Sequence, residues 1–450
     1  MLTKEDTNYL TQTGPGTPMG NLFRRYWQPA LLSQEIPAPD SAPVRVKILG
    51  ENLVAIRATD GTTALIQERC PHRGASLFFG RNEEQGIRCV YHGWKFGTDG
   101  QCVDMPNEPA ESDFFQKVKA VVYPTKEMGG IVWAYLGDAE HQPELPKFEW
   151  AQVPESHRHM TKVTLDSNYL QSVEGDIDSS HTAFLHGQVG KNDLEVSSKF
   201  FDSNKALRYL WSRDKAPKFF VVETPHGLTI GARRDGGRDH YYWRITQWVI
   251  PSVSMIPGEV GGTQRCNFRV PMGDTDHQFY RIDYIPQRPL TPEERYDFEH
   301  GTIHPELKPG TSRPVRDLSN DFLIDRALQK SGTYSGIRGI VEQDYAVTSS
   351  MGLISDRSTE QLGTSDMGVI RARRVMMRLA KHLESGGEID AHMDGEIFFM
   401  RSPALLVDKD VPFDVGARRA MDAEEEWSRD VEWATVMPVL EDENVPGVNA

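Results

Sequence analysis

The sequence predicts an α+β protein in which a small all-β domain precedes a larger domain built from an antiparallel sheet and helices. Three observations predict this class. Short strand-like runs separated by turn residues occupy residues 44–137, longer strand-like runs occupy residues 218–286, and helical patterns dominate from residue 291. Strands followed by helices, rather than alternating with them, are typical of α+β folds.

The first domain follows a Gly- and Pro-containing opening. The runs VRVKILG, ENLVAIRA, TTALIQ, KVKAVVYP and GIVWAYLG are short, apolar and bounded by turn residues, as β-strands are. The polar, Pro-containing segment HQPELPKFEW then predicts a linker. We expect one domain over residues 35–150, a second over 151–390, an N-terminal segment 1–34 that packs on the second domain, and a C-terminal extension over 391–450.

The second domain opens with a segment over residues 164–187 that can form a helix, although Gly175 weakens it. One antiparallel sheet is then predicted by the strand-like runs KFFVVETP, GLTIGARR, YYWRITQWVI, GTQRCNFRVP and HQFYRIDYIP. Two helices follow. One begins at Thr291 and Pro292, and the other, VIRARRVMMRLAKHLESGG, ends in a basic turn and glycine. The acidic tail contains one more helical pattern, MDAEEEWSRDVEWATV.

Composition excludes several functional classes. The formal charge of −15 over 450 residues opposes nucleic-acid binding, which depends on phosphate contacts. No apolar stretch approaches the roughly 18 residues that a membrane helix needs, and the N-terminus lacks the features of a secretory signal. We therefore expect a cytoplasmic protein without a nucleic-acid or membrane partner.

Two of the four cysteines belong to a metal-binding pattern. Cys70 and His72 form a C-x-H pair, Cys89 and His92 form a C-x₂-H pair, and 16 residues separate the pairs. Two thiolates and two imidazoles can bind a [2Fe–2S] cluster of raised potential. The alternative is a structural zinc site, but zinc ligands more often occur as a cysteine pair followed by a histidine pair.

A second constellation reads Asp178-x₂-His181-x₄-His186. On a helix, Asp178 and His181 share a face, and His186 lies slightly more than one turn further on. Two imidazoles and a carboxylate with open positions form the facial triad of non-haem Fe(II) oxygenases. Alone, this pattern is weak, because two histidines on a helical segment are often incidental. Its place about 90 residues after the first motif favours the iron site.

The residues around these motifs resemble a known family. The cluster motif is flanked by Pro71, Arg73, Gly74, Tyr91, Gly93 and Trp94. The likeness extends over nearly the whole chain through the segments GTPMGNLFRRYWQPALLS, EGDIDSSHTAFLHG and VEQDYAVTSSMGLISDRSTEQLGTSD. The chain resembles the α (terminal oxygenase) subunits of Rieske non-haem iron ring-hydroxylating oxygenases, in the phthalate 4,5-dioxygenase-like branch. The resemblance implies a Rieske [2Fe–2S] domain and a helix-grip catalytic domain with a mononuclear Fe(II).

The same resemblance implies roles for two aspartates. Asp344 in VEQDYAV would be the third iron ligand, although composition alone does not choose it over Glu342, Asp356 or Asp366. Asp178 would form a bridge between His92 on the cluster side and His181 on the iron side, because a carboxylate can accept an imidazole N–H from each.

Electrons must come from elsewhere, because the sequence contains no dinucleotide-binding G-x-G-x-x-G turn and no plant-type ferredoxin cysteine run. We expect a separate NAD(P)H-dependent reductase of flavin and ferredoxin type, with a two-protein chain as the alternative. The family also implies O₂ as co-substrate, a homotrimer, and cis-dihydroxylation of an aromatic substrate. Alternatives are a Rieske monooxygenase or O-demethylase, an aryl-ether-cleaving oxygenase and, from another class, a Rieske electron carrier.

The expected substrate is an aromatic carboxylate. In the strand YYWRITQW, alternation places Tyr242, Arg244, Thr246 and Trp248 on one face. A guanidinium among aromatic residues is costly unless it is paired, so Arg244 is a candidate for binding a substrate carboxylate. Arg208 is the second candidate, followed by Arg213, Arg233 and Arg234. Salt bridges on an exposed sheet face are the alternative role for all five.

Overall fold

The chain divides into two compact units, each defined by the contacts among its own residues. The computed structural model describes residues 2–109, 111–187, 189, 210, 214–259, 262–300, 303–413, 415 and 421. Within these residues, one unit comprises residues from 12–145 and 270–274, and the other comprises the remainder.

The N-terminal unit is all-β apart from one short helix and several 3₁₀ turns. Its strands form a sheet in the order β1-β11-β10 and two four-stranded sheets in the orders β2-β3-β4-β9 and β5-β6-β7-β8. The bounds are β1 (Gln28–Leu32), β2 (Val44–Ile48), β3 (Glu51–Arg57), β4 (Thr63–Gln67), β5 (Arg81–Glu83), β6 (Gly86–Arg88), β7 (Lys95–Gly97), β8 (Cys102–Asp104), β9 (Val122–Tyr123), β10 (Thr125–Met128) and β11 (Ile131–Ala134).

The second unit is built on one large sheet in the order β12-β19-β18-β16-β15-β14-β13. Neighbouring strands with described registers are antiparallel, except that β17 and β20 pair in parallel beside β15. The bounds are β12 (Arg158–Leu165), β13 (Lys218–Thr224), β14 (Gly227–Asp235), β15 (His240–Val249), β16 (Val253–Ile256), β17 (Gly258–Glu259), β18 (Gln264–Pro271), β19 (His277–Tyr284) and β20 (Pro403–Asp408).

Helices accompany this sheet, so the predicted α+β class is confirmed. The two helices predicted after residue 291 are α6 (Pro292–His300) and α9 (Met367–Glu384), and α9 ends after the basic residues Lys381 and His382. The helical pattern in the acidic tail lies outside the described residues, apart from Met421. The helix bounds are α1 (Lys4–Thr11), α2 (Pro18–Phe23), α3 (Glu149–Gln152), α4 (Tyr169–Ile177), α5 (Thr182–Leu185), α6 (Pro292–His300), α7 (Arg326–Ser331), α8 (Ile340–Ser350) and α9 (Met367–Glu384).

The division of the chain differs from the expected boundaries at both ends. Residues 12–34 belong to the N-terminal unit, because β1 hydrogen-bonds β11, and only residues 2–11 group with the sheet-and-helix unit. The expected extension 391–450 contributes β20, which pairs with β15 and is therefore part of the large sheet. Within the described residues, no helix has both the length and the apolar character needed to span a membrane.

Candidate metal centres and substrate cavity

Two loops of similar geometry carry the cysteine and histidine pairs. In the first loop, the N–H of Cys70 donates to the carbonyl of Ala75 at 2.8 Å. In the second loop, the N–H of Cys89 donates to the carbonyl of Trp94, also at 2.8 Å. Each loop therefore returns on itself directly after its C-x-H or C-x₂-H pair.

A glycine with positive φ makes each return possible. Gly74 has a φ of 75° and Gly93 a φ of 79°. Each donates its N–H to the carbonyl of the cysteine that begins its loop, at 2.9 Å to Cys70 and 3.0 Å to Cys89. Glycine adopts this conformation without the steric cost that other residues carry.

The four side chains of the two loops fit an iron–sulfur cluster. Cys70 and Cys89 are buried, and the rings of His72 and His92 lie 4.5 Å apart between centroids. The ring of His72 stacks on Trp94 at 4.2 Å, and among the described residues its buried Nδ1 has no hydrogen-bond partner. Burial and the adjacent Cys89 thiol raise the pKa of Cys70 to about 11, so the thiolate form needs a metal cation beside it.

The helix breaks at the second motif. α4 ends at Ile177, Asp178 has an extended backbone, and His181 immediately precedes the one-turn helix α5. The segment over residues 164–187 therefore forms two helices with a break at the motif, rather than one helix. Asp178 Oδ1 accepts the N–H of Ser180 at 2.6 Å, a local contact that competes with helical hydrogen bonds.

This break brings the two histidines to one point, where Asp344 of α8 joins them. The Nε2 atoms of His181 and His186 lie 3.2 Å apart. Asp344 Oδ1 lies 3.6 Å from His181 Nε2 and 3.3 Å from His186 Nε2. Ligand atoms of all three lie within 4.8 Å of one another, an arrangement that suits a single metal ion with two imidazole ligands and one carboxylate.

The other carboxylates considered for the third position lie elsewhere. Glu342 points away from Asp344 on the same helix, as neighbours two positions apart do. Each of the three accepts a hydrogen bond from another partner: Glu342 from Arg316, Asp356 from Ser358 and Asp366 from the N–H of Gly363.

The electrostatics of the triad favour a bound cation. Burial acts to raise the pKa of Asp344, but His186 and His181 outweigh burial and lower it. Burial acts to lower the pKa of His181, but Asp178 and Asp344 outweigh it and raise it. The nearest oxygen of Asp178 lies 3.6 Å from His181 Nδ1. Two carboxylates thus concentrate negative charge around two imidazoles.

Gln343 is a residue of this site that the sequence pattern does not reveal. Its Oε1 lies 2.7 Å from His186 Nδ1, and its Nε2 donates to the carbonyl of Ile337 at 2.8 Å. The second contact identifies Oε1 as the atom that faces the imidazole. His186 therefore carries its proton on Nδ1 and directs the Nε2 lone pair toward Asp344 and His181.

A cavity of about 150 Å³ adjoins the triad. Cavities of about this size hold a single benzene ring. Arg244 of β15 lines it together with Tyr242 and Thr246, which alternation along the strand places on the same face. Among the described residues, the buried Nε of Arg244 has no hydrogen-bond partner.

The other candidate arginines differ from Arg244. The guanidinium of Arg234 is buried and donates to the carbonyls of Ser179 and Asp214, so it braces the loop that carries the iron motif. Arg233 lies over the rings of Tyr241 and Trp243. Arg208 and Arg213 lie outside the described residues.

Comparison with protein families covers nearly the whole chain. A Rieske [2Fe-2S] domain model matches residues 26–124, and a model described as LigXa C-terminal domain like matches residues 134–435. The second match accounts for the part of the chain that an electron carrier or a zinc-binding module does not need.

Curated relatives extend over the same length. The oxygenase subunit of 3-chlorobenzoate-3,4-dioxygenase from Comamonas testosteroni is 39% identical, over 92% of this chain and 97% of its own. The oxygenase subunit of phthalate 4,5-dioxygenase from Pseudomonas putida is 38% identical, over 86% of this chain and 88% of its own.

A solved structure supports the fold independently. Dicamba monooxygenase bound to 3,6-dichlorosalicylic acid is similar with a TM-score of 0.57 at 17% identity, over 80% of this chain and 98% of that one. Together with the two domain matches, these similarities show that the chain belongs to the Rieske non-haem iron oxygenases, as a terminal oxygenase subunit with a Rieske [2Fe–2S] cluster and a mononuclear iron.

Proposed function

We propose that this oxygenase hydroxylates an aromatic carboxylate and that Arg244 binds the carboxylate group beside the iron. Arg244 carries this proposal, because it lines the same cavity as His181, His186 and Asp344 and its Nε lacks a partner among the described residues. A buried guanidinium N–H without an acceptor is unfavourable, and a carboxylate can accept two hydrogen bonds from one guanidinium. The names of the two relatives, which include a chlorobenzoate and a phthalate, agree with this substrate class.

The cluster ligands follow from the two glycine-terminated loops. We infer that Cys70 and Cys89 bind one iron of the cluster and that His72 and His92 bind the other. The buried thiols and the unpartnered Nδ1 of His72 support this assignment.

The mononuclear iron ligands follow from the triad. We infer that His181 and His186 bind through Nε2 and that Asp344 binds through its carboxylate. When bound, the ferrous ion supplies the activation of O₂, with electrons that arrive through the cluster. The protein's own part is to hold the ring against this site: Arg244 orients the substrate carboxylate, and Tyr242 and Ile256 bound the cavity.

The electron supply is a separate component, since the relatives are oxygenase subunits of multicomponent systems. We infer an NAD(P)H-dependent reductase of flavin and ferredoxin type. We also infer a cytoplasmic location, where that coenzyme is available and where cysteines that form no disulfide, as in this chain, remain reduced.

We infer in addition a head-to-tail homotrimer in which the cluster of one chain serves the iron of the next. A second cavity, of about 220 Å³, reaches Asp178 and His181 from the side of α8 and α9, with Met351 and Leu362 exposed at its edge. The cluster loops expose Tyr91. A closed ring of heterologous contacts brings such different surfaces together, and Asp178 would then bridge His181 and His92 of the neighbouring chain.

Oxygen uptake with a reductase present tests the proposed function on a panel of aromatic carboxylates and aryl ethers. We expect uptake coupled to carboxylates, and product analysis distinguishes a cis-dihydrodiol from the products of O-demethylation or ether cleavage. His181→Ala should lose the mononuclear iron and all turnover, but keep the visible spectrum of the cluster. Arg244→Ala should raise KM more than tenfold, because a charge-assisted hydrogen bond contributes about 1.5–3 kcal/mol. Turnover by His181→Ala, or equal activity on uncharged analogues, contradicts the proposal.

A further inference from the structure

A row of polar side chains extends from the outer strand of the large sheet to the iron cavity. β12 lies at one end of the strand order, and its register with β19 places His159 opposite Asp283 and Thr161 opposite Arg281. Residues directly opposite each other in an antiparallel pair present their side chains to the same face, with Cβ atoms about 5 Å apart. Arg281 lines the cavity that adjoins the iron triad. We call these four side chains the β12–β19 polar row.

The outer end of this row reaches the protein surface through α6. Glu299 of α6 has 51% of its side chain exposed, and its Oε1 lies 3.9 Å from Nδ1 of His159. The imidazole of His159 is mostly buried, with 12% of the side chain exposed. Its ring lies nearly parallel to that of Phe298, also in α6, with 6.0 Å between centroids. His159 is thus held between an exposed carboxylate and the interior of the protein.

Two neighbouring atoms of the row lack a partner. Within the described residues, the buried Nε2 of His159 and the buried Oγ1 of Thr161 have no hydrogen-bond partner. The two residues are two positions apart on one face of β12, which separates their Cα atoms by about 7 Å. Buried water molecules in proteins typically bind polar atoms that are otherwise unsatisfied. Water between His159 and Thr161 would satisfy both atoms and continue the row toward Arg281.

The electrostatic surroundings keep His159 neutral at rest. Charged or titratable side chains face it from three neighbouring segments: Asp283 and Arg281 of β19, Arg295 and Glu299 of α6, and His304 after α6. Burial lowers the pKa of His159, the two carboxylates oppose this effect, and the two arginines add to it. A neutral imidazole has a donor nitrogen and an acceptor nitrogen. It can therefore accept a proton on one nitrogen and release another from the second.

Oxygenation consumes protons as well as electrons. In a dihydroxylation, the O–O bond breaks, two C–O bonds form, and two electrons and two protons complete the two hydroxyl groups. In a monooxygenation, one oxygen atom enters the substrate, and the same electrons and protons reduce the other to water. The cavity of about 150 Å³ has room for about one ring. A bound substrate therefore displaces the water that could carry protons in from the mouth of the cavity.

We propose that the β12–β19 polar row conducts protons from the surface to the iron cavity, with His159 as the relay residue. Glu299 takes a proton from solvent and passes it to Nδ1 of His159, and Nε2 releases a proton to water held by Thr161. Arg281 binds Asp283 through Nε and Nη2. Its Nη1 hydrogens can then orient water at the cavity wall. This inference goes beyond the proposed function, because it holds for any substituent that the substrate carries.

A purely structural water site is the competing explanation. Such water would satisfy His159 and Thr161 without moving a proton. Its loss would lower the stability of the protein but would not change the response of turnover to deuterated solvent. His159→Gln separates the two explanations, because an amide can hydrogen-bond the same water but cannot take up a proton at neutral pH.

The kinetic test starts from the anaerobically reduced protein with its cluster and iron in place and with benzoate added. Oxygen is then mixed in, and the visible absorbance of the cluster reports its oxidation, in H₂O and in D₂O. Product and hydrogen peroxide are measured together, because the reduction of O₂ to peroxide also takes two electrons and two protons. The rate of proton supply is thus measured whether or not benzoate is hydroxylated.

Four variants and one control assign the effect to residues. His159→Gln should slow cluster oxidation by about tenfold or more and raise its solvent isotope effect, since proton transfer then limits the rate. Thr161→Val should change both in the same direction, and Thr161→Ser should restore them. Added imidazole should rescue part of the rate of His159→Ala. His157→Gln is the matched control, because Nδ1 of His157 lies 3.1 Å from the carbonyls of both Ile285 and Pro286, away from the row.

A crystal structure tests the row without turnover. We expect a water molecule within hydrogen-bond distance of both His159 Nε2 and Thr161 Oγ1 in the wild-type protein. A dry contact between the two side chains overturns the proposal.

The kinetic outcomes decide in the same way. Unchanged rates and isotope effects in His159→Gln and Thr161→Val overturn the relay. Slower oxidation with an unchanged isotope effect and a lowered thermal midpoint assigns the row a structural role. If only peroxide forms and no carboxylate of the wider panel is hydroxylated, the proposed function is wrong, but a raised isotope effect in His159→Gln still supports the relay.

Discussion

At the scale of single residues, the contact between Gln343 and His186 gives a direct prediction. Gln343→Leu removes the acceptor that orients the imidazole of His186. Loss of such a contact typically lowers metal affinity by about 10–100-fold. We expect an iron titration of the Gln343→Leu protein to show this weakening, with an unchanged cluster spectrum.

A matched variant separates orientation from packing. Gln343→Glu keeps an acceptor oxygen at His186 Nδ1 and should retain iron more tightly than Gln343→Leu. Equal iron affinity in wild type and Gln343→Leu contradicts this role of Gln343.

The spacing of Cys70, His72, Cys89 and His92 predicted a cluster because these ligands lie close together in the sequence, with a glycine after each pair. The role of Gln343 depends instead on a contact between distant segments. Gln343 is 157 residues from His186. A local sequence pattern does not show a contact of this kind.

At the scale of elements, α4 is held in place by Glu174. Its carboxylate binds Arg357 at 2.8 Å and Arg373 of α9 at 2.6 Å. Burial acts to raise the pKa of Glu174, but the two arginines outweigh it and lower the pKa. A pKa that folding lowers contributes stability above the unfolded value of about 4.3, and this contribution is lost as the pH falls through the folded value.

Glu174→Gln should therefore destabilise the protein at neutral pH, since it leaves two arginines without their shared carboxylate. Breaking a buried pair of this kind costs about 3–5 kcal/mol. We expect denaturant unfolding to show this difference at pH 7 and to show it shrinking as the pH falls below about 4. Glu360→Gln is the control, because Glu360 contacts only Arg373 of the two arginines and should cost less. A loss independent of pH contradicts the electrostatic explanation.

Most long elements could be predicted from the sequence, and short ones could not. β13, β14, β15, β18 and β19 coincide with long strand-like runs. The helix break at Asp178 was missed because the contact with Ser180 involves a polar side chain that helices also tolerate. β16 has four residues and β20 has six, and both are stabilised by pairing with β15 rather than by a pattern of their own.

At the scale of the whole molecule, the proposed homotrimer predicts complementation between two inactive chains. Cys89→Ala removes a cluster ligand, and His181→Ala removes an iron ligand. Each variant alone should be inactive. If electrons pass between neighbouring subunits, co-expressed mixed trimers place an intact cluster beside an intact iron, and part of the activity returns.

The single substitution Asp178→Asn tests the proposed bridge in a chain that keeps all its metal ligands. The amide keeps the shape of the carboxylate but loses its charge, so both metals should remain and turnover should fall. No chain in the mixed assemblies carries both centres, so any activity requires electron transfer between subunits. If mixed assemblies verified by mass stay inactive, transfer between subunits is rejected.

The division by internal contacts passes from one unit to the other between residues 145 and 146, inside the expected linker segment. The placement of residues 12–34 with the N-terminal unit follows from the pairing of β1 with β11, a contact across about a hundred residues that no local pattern shows.

The late position of β20 has a consequence for biosynthesis. Arg244 lies opposite Ala404 in the register of β15 and β20, and Ala404 lines the cavity. On the ribosome, both cluster loops emerge long before residue 404, by an interval on the order of tens of seconds at ordinary elongation rates. The large sheet therefore lacks β20 until residues 403–408 have been synthesised, long after both cluster loops. Ala404, which contributes to the wall of the cavity, is added at this late stage.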